Sequence, residues 1–98
     1  MPNIGNLFGI IFCMFCEIGA PHHKKHVLAM YGNYKANYDI ETGRRINGNM
    51  PSRQERVINQ ALRENKEDFL NCWELLNQEN SVTPPKIQFA MSNKNGRS

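Results

Sequence analysis

All three histidines of the chain lie in one short stretch, as His22, His23 and His26. Histidine exchanges protons near neutral pH, so this cluster is suited to general acid–base chemistry. We therefore take His22, His23 and His26 as candidate catalytic residues. The alternative is a solvated loop whose histidines bond to backbone groups, because no activated nucleophile stands nearby in the sequence.

Two cysteines precede the histidines, so Cys13, Cys16, His22 and His26 form a possible set of zinc ligands. Five residues separate Cys16 from His22, whereas zinc sites of the finger type use about twelve to fifteen. Residues three apart in a strand also point to opposite faces of the sheet. We therefore expect no metal and no other cofactor, and we interpret the cysteines as small core residues.

Four cations form a candidate surface for nucleic acid or for a partner: Lys24, Lys25, Arg44 and Arg45. Such side chains contact phosphate groups or acidic surfaces. The chain has 12 Lys and Arg against 9 Asp and Glu, a net charge of +3. This balance permits contact with nucleic acid, but it lacks the dense basic stripe of a dedicated nucleic-acid-binding protein.

The length of 98 residues indicates one domain. We expect a single α+β domain over 1–91 and a disordered, polar and basic tail over 92–98. The apolar run at 7–16 is about half as long as a membrane-spanning helix, and no convincing export signal accompanies it. With an odd number of cysteines, these features favour a cytoplasmic protein without membrane contact.

Four apolar or alternating stretches predict strands: 7–16, 26–31, 34–40 and 44–47. Gly32 and Asn33 tolerate positive φ, so they predict a tight hairpin between the second and third strands. Gly43 is the expected left-handed residue of the next turn.

The second half of the chain changes to a helical period. Ser52 and Glu55 form a capping-box pattern, and apolar residues then recur at helical spacing up to Leu76. The polar segment 65–68 predicts a break into two helices, although one bent helix over 52–78 is the alternative. The segment 86–89 predicts an extended edge. The expected fold is α+β: an antiparallel sheet of about four strands, packed on one face by two C-terminal helices.

Several short motifs, each present once, follow one another along nearly the whole chain: Met1-Pro2-x-Ile4, Phe8-Gly9-Ile10-Ile11, His22-His23-Lys24-x-His26, Tyr31-Gly32-x-Tyr34-x-Ala36, Asp39-Ile40-x-Thr42-Gly43, Gly48-x-x-Pro51 and Trp73-Glu74. In this order and spacing the chain resembles a small bacterial family, domain-of-unknown-function family 4160. The family usually reads His-x-Lys-Pro-His-x-His through the loop. Here Lys25 replaces the proline and Leu28 replaces the last histidine, so the histidine motif is degenerate.

The resemblance implies an α+β fold, a bacterial cytoplasmic setting and a protein partner. Members of the family resemble components of two-gene modules that are regarded as toxin-antitoxin-like. We therefore expect a small bacterial or phage-borne interaction protein that binds a protein partner, and a homodimer is compatible with the modest core. The alternative is a nucleic-acid-binding protein or an RNA- or nucleotide-directed enzyme that uses His22, His23 and His26.

Overall fold

The computed structural model describes residues 3–14, 25–77 and 84–89, and in these residues a sheet precedes two helices. The strands are β1 (Asn3–Leu7), β2 (Ile10–Cys13), β3 (His26–Tyr31), β4 (Tyr34–Asp39) and β5 (Arg45–Gly48). They form one antiparallel sheet in the order β1-β2-β3-β4-β5. The helices are α1 (Ser52–Glu64) and α2 (Lys66–Leu76). The predicted α+β class, with an N-terminal sheet and C-terminal helices, is confirmed.

The apolar N-terminal run differs from the prediction of one strand over 7–16. Leu7 ends β1, Phe8 and Gly9 form a turn, and β2 begins at Ile10. Phe8 has a φ of 49° and Gly9 a φ of 80°, and two positive φ values in succession are typical of a tight two-residue hairpin turn. The sheet therefore has five strands instead of about four.

The predicted hairpin of β3 and β4 is confirmed. Its strands pair from Tyr31 opposite Tyr34 to His26 opposite Asp39, and Gly32 in the turn has a φ of 58°. The predicted fourth strand over 44–47 appears as β5, shifted by one residue.

One face of the sheet carries the core. Directly opposed residues of antiparallel strands share a face, and the register places Phe12, Ala29 and Ala36 in one buried row. The ring centroids of Phe12 and Phe69 lie 5.5 Å apart, nearly edge to face. The helices bury these residues against this face: Ile58, Ala61 and Leu62 from α1, and Phe69, Cys72, Trp73 and Leu76 from α2.

The break between the helices lies at Asn65, where the polar segment predicted it. Asn65 has a φ of −123° and a ψ of 29°, outside the helical region. Its side-chain amide does not cap α2; it donates instead to the carbonyl oxygen of Ala61 over 3.1 Å. The alternative of one bent helix is wrong.

The predicted capping box at Ser52 is also wrong. Pro51 occupies the N-cap position with an extended backbone, and no side chain caps the helix. Ser52 is already helical, so its hydroxyl stands one residue too late to accept from the first-turn amides. The backbone N–H of Glu55 donates to the carbonyl oxygen of Pro51 over 2.8 Å.

The segment 84–89 lies along the outer edge of β1. Ile87 donates its N–H to the carbonyl oxygen of Ile4 over 2.8 Å, and the ring of Phe89 lies 5.2 Å from that of Phe12. The predicted extended edge at 86–89 is thus one backbone bond and an aromatic contact, not a strand. The predicted domain end at 91 and the tail 92–98 lie outside the described residues.

Candidate functional site

Much of the predicted histidine cluster lies outside the described residues. This holds for Cys16, His22, His23 and Lys24. The catalytic cluster and the zinc set of Cys13, Cys16, His22 and His26 therefore stay predictions. Within 3–14, 25–77 and 84–89, no group of three His, Cys, Asp or Glu residues is placed to hold a metal ion.

His26 lies at the start of β3, at the end of the sheet that faces α2. Its ring centroid lies 5.3 Å from that of Trp73, and its partner across the strands is Asp39. Asp39 Oδ1 accepts the backbone N–H groups of Glu41 and Thr42 over 2.8 and 3.2 Å, which orders the following turn. His26 therefore packs against the helix layer, and its acid–base role stays a prediction.

Two of the described cations of the predicted binding surface form ion pairs with different helices, and the role of this surface stays a prediction. Lys25 Nζ lies 3.5 Å from Glu74 Oε2 on α2, while Arg45 Nε lies 3.3 Å from Glu55 Oε2 on α1. Both pairs are partly exposed, so each stabilises the fold only slightly. Arg44 precedes β5 and forms no ion pair with any described residue.

Tyr38 and Glu55 connect the sheet to α1. The Tyr38 hydroxyl donates to Glu55 Oε2 over 2.9 Å, next to the Arg45 guanidinium. Burial raises the pKa of Tyr38, and the hydrogen bond to Glu55 raises it further. Tyr38 therefore stays a protonated donor in the folded protein. This suits a structural role, linking the sheet to α1, and not the role of a nucleophile.

The two described cysteines are buried free thiols, as we predicted for small core residues. Burial raises the pKa of the Cys13 thiol and, together with the charge of Asp68, that of the Cys72 thiol. The thiolate is the reactive and metal-binding form of cysteine. Both thiols are therefore held in their less reactive form.

The face of the sheet opposite the core is not covered by the described helices. Cys13, which pairs with Leu28, is on this face by register but is buried. Two rows of the other opposed residues lie on it: Ile11, Met30 and Lys35, and Leu28, Asn37 and Asn47. We call these six residues the open face. Its apolar members lie on β2 and β3, whereas the side on β4 and β5 is polar and carries an amide–amide bond of 3.0 Å between Asn37 and Asn47. Of the apolar members, Ile11 is 36% exposed, and Leu28 and Met30 are half-buried.

The edge strand β5 borders the open face. All four of its residues are exposed, with Ile46 at 43%, and no described strand pairs with its outer side. Arg44 stands at its beginning, and Lys35 lies beside its last residue, Gly48. Lys35, like Arg44, forms no ion pair with the described residues. The edge therefore offers an apolar side chain between two cations.

This edge is the feature that sequence reasoning missed. The segment 44–47 predicted a short strand, but its place at the border of the sheet depends on the order of all strands. The signal available was the alternation in β5, where Ile46 stands among polar residues. Leu28 carried a second signal, because it is an apolar residue that alternates with the buried Val27 and Ala29 and so lies on the open face.

The comparisons with known proteins give one match. A family model described as "Domain of unknown function (DUF4160)" matches residues 9–74, from the first hairpin turn through most of α2. No curated protein and no solved structure matches the chain. A separate finding is that no helix within the described ranges has the length and apolar character to cross a membrane.

Proposed function

The chain belongs to domain-of-unknown-function family 4160, and from this premise we propose that it works by binding a protein partner. In this proposal it is one component of a bacterial toxin-antitoxin-like pair. An extended segment of the partner adds to the sheet at β5 and covers part of the open face. The observation that carries the proposal is the exposed edge of β5, with Ile46 between Arg44 and Lys35.

Backbone geometry supports strand addition. Asn49, just after β5, donates its N–H inward to the carbonyl oxygen of Lys35 over 3.0 Å. Because hydrogen-bonding directions alternate along an antiparallel strand, other backbone groups of β5 point away from β4. An added strand satisfies such groups with main-chain hydrogen bonds, while pockets and side chains supply the specificity. Ile46 would be the apolar anchor of that contact.

Charge selects a different protein over a second copy of this chain. Parallel, in-register pairing of two β5 strands would place Arg45 of one copy opposite Arg45 of the other. Antiparallel pairing would bring Arg44 and Arg45 of one copy toward the Gly48 end of the other, where Lys35 of β4 lies one strand further in. Like charges directly opposite each other destabilise a strand pair. The edge is also short and bulged, as is typical of edges that resist self-association. The partner segment should therefore have an apolar centre flanked by acidic residues.

Two further features favour this proposal. Leu28 occupies the place of a family histidine and gives the open face an apolar side chain in place of a titratable one, which favours binding over catalysis. Cys13 and Cys72 are free thiols, which is in keeping with a reducing cytoplasm.

The test is co-expression with the product of the neighbouring gene, followed by size-exclusion chromatography and titration calorimetry. We expect the two proteins to form a stable complex. The variants Lys35→Glu and Ile46→Asp should each weaken it by about tenfold or more, because they place a negative charge against an acidic partner. Arg53→Glu is the matched control, since Arg53 is exposed on α1 and belongs neither to β5 nor to the open face, and should leave the affinity unchanged.

Three results would contradict the proposal. The first is a wild-type chain that forms no complex with the neighbouring product. The second is equal weakening by Lys35→Glu and Arg53→Glu. The third is a homodimer of the chain that Ile46→Asp dissociates, because it would assign the edge to a second copy.

A further inference from the structure

A cleft of about 320 Å³ lies between the β4–β5 turn and the junction of the two helices. Small-molecule sites in proteins have volumes of roughly 300 to 1,000 Å³, so this cleft falls at the small end of that range. Its walls come from three parts of the chain: Arg44 from the turn, Asn59, Leu62 and Arg63 from α1, and Lys66 from α2.

Three cations line the cleft. Arg44, Arg63 and Lys66 form no ion pair with any described residue, and Glu41 is the one carboxylate in the described lining. Three positive charges against one negative charge in a concave site attract an anion. Two guanidinium groups and an ammonium group also match phosphate, because arginine offers paired N–H donors in a planar fork.

The turn that carries Arg44 is held by its own hydrogen bonds. Besides the two bonds accepted by Asp39 Oδ1, the N–H of Gly43 donates to the Asp39 carbonyl oxygen over 2.7 Å. The N–H of Arg44 donates to Thr42 Oγ1 over 3.2 Å. The backbone under Arg44 is therefore ordered before any ligand arrives, which lowers the entropic cost of binding.

Asn59 independently indicates a second property of the ligand, a hydrogen-bond donor. Its Oδ1 is buried and has no hydrogen-bond partner among the described residues, although the side chain lines the cleft beside Leu62. Most buried polar atoms in native proteins are paired, so an orphaned acceptor calls for an explanation. A hydroxyl or amino group of a ligand would satisfy this amide after a small rotation of the side chain, with Leu62 as an apolar wall beside it.

We propose that this cleft binds a phosphate monoester that also carries a hydrogen-bond donor, as a nucleoside monophosphate does. Arg44, Arg63 and Lys66 hold the phosphate, and Asn59 accepts the donor. The same chemistry occurs in a free nucleotide and at the phosphorylated end of an RNA chain. The site goes beyond the proposed partner contact, because Arg63 and Lys66 lie on the helices and not on β5.

The test is a titration of the full chain with adenosine monophosphate, inorganic phosphate and adenosine, followed by amide chemical shifts and calorimetry. Adenosine monophosphate should bind more tightly than inorganic phosphate and shift the amides around Arg44 and Arg63, whereas adenosine should bind least. Arg63→Gln should weaken the binding of adenosine monophosphate by about tenfold or more. Arg53→Gln removes the same charge from the same helix outside the cleft and should have no effect.

Asn59→Leu tests the donor requirement. It should reduce the affinity for adenosine monophosphate toward that for inorganic phosphate and leave phosphate binding unchanged. The amide spectrum of each variant without ligand confirms that it folds. Absence of binding by the wild-type chain, or equal effects of Arg63→Gln and Arg53→Gln, would overturn the assignment.

A further titration distinguishes a free nucleotide from the phosphorylated end of an RNA chain as the ligand. It compares an oligoribonucleotide that has a terminal phosphate with one that ends in a hydroxyl. Tighter binding of the phosphorylated oligonucleotide than of adenosine monophosphate would assign the cleft to RNA ends, and equal or weaker binding would assign it to free nucleotides. Because Arg63→Gln leaves β5 unchanged, complex formation with the partner should persist in this variant. Failure of the cleft proposal is thus distinguishable from failure of the partner proposal.

Discussion

Tyr38 of β4 and Glu55 of α1 share a hydrogen bond of 2.9 Å that joins the sheet to the helix layer. Tyr38 is fully buried, and the same carboxylate oxygen lies 3.3 Å from Arg45 Nε on β5. One carboxylate thus connects the two C-terminal strands of the sheet to the first helix. This contact helps to hold β5, which is paired with β4, close to the first helix.

Replacing Tyr38 by phenylalanine should therefore destabilise the fold. The change keeps the ring in the core but removes the donor to a charged acceptor, which costs about 1–2 kcal/mol. The measurement is the free energy of unfolding from urea titration. Tyr34→Phe is the control, because Tyr34 is 46% exposed and its hydroxyl bonds to no described residue. Equal stability of the two variants would contradict this role of Tyr38.

Alkaline pH should destabilise the protein through the same tyrosine. Burial and Glu55 raise the pKa of Tyr38 above its ordinary value of 10.0, so the folded chain keeps a proton that the unfolded chain releases. The contribution of this group to stability is complete below pH 10 and is lost as the pH rises further. The slope for one such group reaches about 1.4 kcal/mol per pH unit.

The comparison of wild type with Tyr38→Phe isolates this effect. The raised pKa values of Cys13 and Cys72 act in the same direction above their ordinary value of 9.0, but they are common to both proteins. The unfolding free energy of Tyr38→Phe should fall less steeply above pH 10 than that of wild type. Parallel curves would show that Tyr38 ionises equally in the folded and unfolded chains.

Gly48→Ala should disrupt the end of β5. Gly48 has a φ of 92°, and a Cβ there would lie 2.6 Å from Ala36 Cα and against the carbonyl oxygen of Lys35. The left-handed backbone costs about 1–2 kcal/mol for alanine, and the overlap adds about 1–3 kcal/mol. Gly43→Ala is the matched control, since its φ is 79° and nothing lies within 4 Å of the added Cβ. Thermal unfolding should separate the two variants, and similar melting temperatures would contradict the predicted overlap.

The sequence alone correctly predicted features that depend on the backbone preferences of individual residues. The Gly32-Asn33 turn, the left-handed Gly43 and the helix break at Asn65 each depend on a residue that tolerates a particular backbone conformation. The burial of Trp73 followed from its place in a stripe of apolar residues at helical spacing. The two-layer α+β architecture followed from the order of these periodic segments.

Features that depend on tertiary contacts were not predictable in this way. Phe8 adopts a positive φ of 49°, which aromatic residues rarely do. The hairpin turn within the apolar run 7–16 was therefore not predicted. Glu55 fits a capping box, but its carboxylate binds Tyr38, which is distant in sequence. In the sequence, Arg63 is one of several charged residues of the helical segment. It becomes a candidate ligand-binding residue because the β4–β5 turn brings Arg44 to the same cleft.

Hydrogen exchange of the β5 amides tests the partner edge most directly. The exchange rates over Arg45–Gly48 are compared between the free chain and its complex with the product of the neighbouring gene. Strand addition predicts at least about tenfold slower exchange at the outward-facing amides of β5 in the complex, with the amides of α1 unchanged. Slower exchange confined to the helices, with the β5 amides unaffected, would contradict it.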